Sequence, residues 1–140
     1  MKPFEAKFET AGAVGEVMAA VTTKAGIQKW WCKDCDIASK VGGTHEMRFD
    51  KNGTLVNMKF RVDTLGEREV SWTCTSNDNP VWVGSTLRWT AESTPGGTEV
   101  SFIHDDFAAG GPPYEATLEG WVMFMKSLKT SLDGGQGTPF

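Results

Sequence analysis

Apolar and polar residues alternate along residues 2–9, with Phe4, Ala6 and Phe8 on one side and Glu5, Lys7 and Glu9 on the other. This period of two predicts a half-buried strand. From Ala13 the period lengthens, and Val14, Val17, Met18 and Val21 follow the i, i+3, i+4, i+7 spacing of a short amphipathic helix that ends before the β-branched Thr22 and Thr23. A second short helix is expected over residues 24–30, capped by Thr23, with Ile27, Trp30 and Trp31 turned inward. After Gly42 and Gly43 the period returns to two for about sixty residues. Strands are expected over 44–49, 55–64, 68–75, 81–92 and 98–104, separated by turns at 50–53, 65–67, 77–80 and 94–97, where Gly, Asn, Asp and Pro collect. Short hairpins of this kind produce an antiparallel meander.

The longest helical pattern covers residues 113–133 and follows a loop rich in Ala, Gly and Pro at 108–113. Its apolar stripe is Leu118, Trp121, Val122, Met125, Leu128 and Leu132, with Glu119, Lys126, Ser127, Thr130 and Ser131 assigned to the other side. Gly134 and Gly135 supply its stop, and Lys126 and Lys129 sit near its negative pole. One strand, two short helices, a run of antiparallel strands and a closing helix define an α+β class. The helix must cover one face of a curved antiparallel sheet for both apolar faces to be buried.

Composition narrows the possibilities. The 140 residues fit one domain spanning 1–140, and 39% apolar with 23% charged residues describes a globular chain rather than a disordered one. The charge of 14 − 18 = −4, with the basic residues scattered singly, offers no groove for nucleic acid and no face for an anionic membrane. Neither a secretory leader nor a membrane span is evident, so a cytoplasmic location is expected.

Three cysteines, Cys32, Cys35 and Cys74, are too few for a disulfide scaffold. Cys32 and Cys35 form a C-x-x-C that reads as a redox dithiol, as half of a zinc site completed by Cys74 with His45 or His104, or as small buried residues, and the last reading is preferred. No metal or cofactor is expected. Nucleophile-elbow, P-loop, dinucleotide-binding and zinc-protease motifs are all missing.

Alternation also assigns residues to the interior face: His45, Met47 and Phe49, then Val56, Met58, Phe60 and Val62, then Val70, Trp72 and Cys74, then Leu87 and Trp89, and last Val100, Phe102 and His104. Six tryptophans and eight phenylalanines favour an interior with flat apolar walls, which either packs solid or holds a ring-shaped ligand. The candidate ligand-binding residues are His45, Met47, Met58, Phe60, Trp72, Trp89, Phe102, His104, Trp121 and Met125. Either histidine could orient a ligand or act as general acid or base, or be a core histidine satisfied by backbone or by a neighbour such as Asp105. No catalytic residue is assigned.

The ordered features resemble the bacterial homologues of the activator of heat-shock-protein-90 ATPase, within the START-like superfamily of helix-grip folds. The resemblance is carried by residues 17–22 leading to Ile27, Trp30 and Trp31, by Val41-Gly42-Gly43, by Val70-Ser71-Trp72 and by Gly97-Thr98-Glu99-Val100. Ile103-His104-Asp105-Asp106-Phe107, and Gly120-Trp121 leading to Leu128-Lys129 and Leu132-Asp133-Gly134-Gly135, complete it. It implies a cavity between sheet and closing helix and a hydrophobic or aromatic small molecule as ligand. It also implies two alternatives: a reduced co-chaperone-like interaction module with a chaperone as partner, and a cyclase- or hydrolase-type enzyme using a cavity histidine.

Overall fold

A computed structural model describes residues 1–140. In chain order it contains β1 (Phe4–Thr10), α1 (Val14–Thr22), α2 (Lys24–Gln28), β2 (Asp34–Asp36), β3 (Thr44–Lys51), β4 (Thr54–Leu65) and β5 (Glu69–Asn77). A 3-10 turn at Pro80–Trp82, β6 (Thr86–Thr94), β7 (Gly97–Asp105) and α3 (Pro112–Leu132) follow. All seven strands belong to one antiparallel sheet in the order β1-β7-β6-β5-β4-β3-β2. This is the helix-grip arrangement, with the curved sheet folded around α3. Two irregularities in the β4–β5 ladder, at Lys59/Phe60 and Val62/Thr64, add the local twist that bends a sheet.

Hairpin chemistry fixes the register of the meander. Asn52 and Gly53 both have positive φ, 54° and 88°, as a two-residue turn joining right-twisted strands requires. The Gly53 N–H donates to Asp50 Oδ1 at 2.8 Å. Alternation then buries every second residue of β7, from Thr98 through Val100 and Phe102 to His104.

Four local differences from the sequence pattern have physical causes. The polar stretch after Cys32 forms β2, a three-residue edge strand paired with β3. Its aspartates face water and grip Arg48 at 3.0 and 2.9 Å, while Cys35 between them is buried. The strand expected from Val81 begins only at Thr86, because Pro80 opens a 3-10 turn capped by Asn79 Oδ1. On α3, Val122 lies outside the buried stripe and is 49% exposed. Ser127 is buried instead, donating to the Trp30 carbonyl and accepting the Thr138 N–H, so its hydroxyl is satisfied where an apolar side chain would leave two backbone groups unpaired.

Candidate functional site

The interior is an aromatic stack centred on Trp31 and Trp121. Trp31 sits on the turn after α2, its N–H bonded to the Ile27 carbonyl, and its ring meets Trp72, Trp89, Trp121, Phe49, Phe60 and Phe124 at centroid distances of 5.2–6.4 Å. Trp121 projects from α3 onto Phe102 at 4.5 Å and Trp82 at 5.9 Å. Its indole N–H donates to His104 Nδ1 at 2.9 Å. That bond leaves the proton on Nε2, which donates to Ser85 Oγ at 2.8 Å.

Both histidines lie closed inside this packing. His45 accepts the Ala38 N–H on Nδ1 at 2.9 Å and stands edge-on to Trp72, with centroids 4.4 Å apart. Its Nε2, like the indole nitrogens of Trp72 and Trp89, meets no acceptor. Burial pushes the pKa of His45 down to about 4 and that of His104 down to about 3, since neither ring has a negative partner to hold a proton. Each is therefore a neutral imidazole at pH 7.

Between the sheet and α3, at the β3–β4 end, a cavity of about 130 Å³ remains. Trp31, Trp82, Trp121 and Phe124 form its inner and helical walls, and Phe49, Val56 and Met58 its sheet wall. Gly120 faces it from α3, where an added Cβ would meet nothing within 4 Å. Phe140 also lines it, its ring 5.9 Å from both Phe49 and Phe124, with Lys51 Nζ 5.6 Å above it. Lys51, Asn77, Asn79 and Thr117 supply the polar lining. Apolar cavities of about 150 Å³ accept a benzene-sized guest. Two other hollows, one over the outer face near Arg88 and one beside Lys29 and the final segment, are walled mainly by polar residues.

Among the candidate residues, Met58 and Trp121 line this cavity. His45, Met47, Phe60, Trp72, Trp89, Phe102, His104 and Met125 are buried in the packing around it. Alternation identified the inward side of each strand but not where along the sheet the packing opens. Trp82 escaped notice as a wall because its stretch read as strand, and Phe140 because it belongs to no periodic element. The closing turn signal at Gly134 and Gly135 was the only hint that the chain returns.

Cys32, Cys35 and Cys74 are buried free thiols. Desolvation raises Cys32 and Cys74 to about 11 and raises Cys35 as well. No three His, Cys, Asp or Glu side chains come together as a metal cluster. No helix is long and apolar enough to cross a membrane.

Residues 13–133 match the family model described as Activator of Hsp90 ATPase homolog 1-like protein. No curated protein matches the sequence significantly. Among solved structures, the Aha1 dimer from Colwellia psychrerythraea is 25% identical, with a TM-score of 0.80 over 98% of this chain and 100% of that one. A protein from Chromobacterium violaceum is 18% identical, with a TM-score of 0.78 over 94% and 96%. An AHSA1-like protein from Aeromonas hydrophila is 15% identical, with a TM-score of 0.72 over 91% and 90%. The latter two likenesses concern the fold alone.

Proposed function

We propose, for a chain that belongs to the Activator of Hsp90 ATPase homolog 1-like family, that residues 1–140 act as one START-like domain binding a hydrophobic or aromatic small molecule without transforming it. The observation that carries this reading is the aromatic-walled space left between the sheet and α3, with Gly120 withholding a side chain there. A mid-helix glycine costs about 1 kcal/mol relative to alanine, and unfilled space forfeits dispersion contacts as well. A ligand recovers the dispersion contacts. Met58 and Trp121 touch it in this reading, while Met47, Phe60, Trp72, Trp89, Phe102 and Met125 hold the walls rigid. His45 and His104 keep the aromatic rings in place and meet the ligand only through them.

Toluene tests the cavity directly. A saturating concentration should raise the melting temperature of the protein, with shifts of the Met58 methyl resonance. In Gly120→Leu the side chain fills the space, so the toluene effect should vanish while the variant melts at or above the temperature of the parent. A Gly120→Leu protein that is still stabilised by toluene contradicts the reading.

A second reading rests on Val122 and Met123, 49% and 70% exposed on the outer side of α3. Such a pair suits contact with another protein chain, and the Colwellia relative is described as a dimer. Sedimentation of the parent beside Met123→Lys separates the two readings, because ligand binding survives that change and an α3 contact does not.

A further inference from the structure

The walls of the cavity differ in how firmly they are held. Trp31, Trp82, Trp121, Phe49 and Met58 are all buried. Trp82 is tied through its indole N–H to Thr117 Oγ1 at 2.8 Å, and Trp121 through its own to His104 Nδ1 at 2.9 Å. The buried rings of Trp72, Trp89, Phe60 and Phe102 stand against Trp31 and Trp121, so nothing on that side yields without unpacking the core. Phe140 is held differently. It lies outside every helix and strand and is 46% exposed. Its hydrogen bonds are backbone bonds that any residue at this position would make: its N–H donates to the Trp31 carbonyl at 2.9 Å, and its carbonyl accepts the Lys33 N–H at 2.8 Å. Its ring packs on Phe49 and Phe124, which also line the cavity, so moving it uncovers apolar surface continuous with the site. Elsewhere the lining ends on Lys51, Asn77, Asn79 and Thr117, whose polar groups offer a hydrocarbon chain no gain.

Building on the ligand-binding reading above, we propose that Phe140 is the specificity-determining residue of this cavity. Its ring occupies the apolar extension of the site, so the cavity takes a single aromatic ring with a short substituent, and a ligand with a longer hydrocarbon chain binds only by displacing that ring. The 130 Å³ that remain beside Phe140 hold one ring and leave no length for a chain. In open apolar space each added methylene strengthens binding about fourfold. A chain that must first evict Phe140 exposes apolar area on that ring while burying its own, and the two changes cancel.

Toluene and n-butylbenzene, titrated into the full chain while the Met58 methyl and Phe140 ring resonances are followed by NMR, test this. The parent should bind the two within about threefold of each other, where unobstructed burial of the longer chain would favour n-butylbenzene about fiftyfold. Phe140→Ala keeps both backbone bonds and should favour n-butylbenzene by about tenfold or more, with toluene held no better than before. Phe140→Leu should fall between the two, and it decides the matter if Phe140→Ala fails to fold. Met123→Ala removes an exposed apolar side chain that is not part of the lining and should keep the ratio of the parent. A parent that binds n-butylbenzene far more tightly than toluene, or a ratio unmoved by both substitutions at Phe140, overturns the role of Phe140 and leaves the cavity reading standing, since toluene still binds. Should toluene fail to bind the parent, both fall.

Discussion

The indole N–H of Trp121 and Nδ1 of His104 share a buried hydrogen bond of 2.9 Å that joins α3 to β7 across the centre of the fold. It also fixes the state of the histidine, since a nitrogen that accepts cannot carry the proton. Nε2–H then continues the chain to Ser85, whose hydroxyl donates to the Trp82 carbonyl. The series touches the cavity at each of its ends, through Trp121 and through Trp82.

The role of that bond is separable from the bulk of the ring. Trp121→Phe keeps most of the packing but removes the donor, and is expected to cost about 1–3 kcal/mol. Trp121→Ala adds the lost burial and should cost about 3–5 kcal/mol. Urea denaturation of the two variants beside the parent gives both values. A phenylalanine variant as stable as the parent would show that the His104 contact contributes nothing.

Stability should fall on mild acidification. His45 and His104 have folded pKa values of about 4 and about 3, against 6.5 for the free side chain. Between pH 6.5 and about 4 the unfolded chain binds protons that the folded chain refuses. Stability is therefore complete above pH 6.5 and is lost as the pH drops through that window, with a limiting slope of about 1.4 kcal/mol per pH unit for each histidine. Urea midpoints measured at pH 7.5, 5.5 and 4.5 should decline accordingly, and His104→Gln should remove about half of the slope. A midpoint independent of pH over this range counts against two buried neutral rings.

The cysteines should be silent in the native protein. Their thiols are buried and their pKa values raised by desolvation, and the thiolate is the reactive form. A disulfide-exchange reagent at pH 8 is expected to titrate none of the three in the folded state and all three in urea. Rapid native reaction at Cys32 or Cys35 would revive the redox reading of the C-x-x-C pair.

The final segment can be dislodged by a single methyl group. A Cβ at Gly137 would lie 2.2 Å from the Lys29 carbonyl oxygen. Gly137→Ala should therefore lift the segment and break the Phe140 N–H bond to the Trp31 carbonyl and the Lys33 N–H bond to the Phe140 carbonyl. Hydrogen exchange at the Lys33 and Phe140 amides should accelerate, at a cost of about 1 kcal/mol in stability, because water replaces much of what is lost. Unchanged exchange would mean that the segment does not depend on the close approach at Gly137.

Elements governed by short-range chemistry were legible in the chain. The Phe4, Ala6, Phe8 alternation, the Val14 to Val21 helix spacing and the Asn52-Gly53 turn each specify local geometry without help from distant residues, and each stands within a residue or two of its expected place. Where a distant partner decided the outcome, the pattern misled. Asp34 to Asp36 forms a strand only because β3 lies alongside and Arg48 neutralises its charges. Ser127 is buried only because Trp30 and Thr138 need its hydroxyl.

The same division applies to the site. Amino-acid order by itself determined which side chains face inward, because the pleat and the helical turn are properties of the backbone. It thereby determined that the interior would be aromatic and that the closing helix would bear on the sheet. Tertiary structure alone decided where the aromatic packing falls short, since a void depends on how volumes from β3, β4, the 3-10 turn, α3 and the final segment happen to sum at one point. It also decided that both histidines would be enclosed, with Nδ1 of one bonded to the Ala38 N–H and that of the other to the Trp121 indole, because hydrogen-bond partners come from whatever the fold brings near.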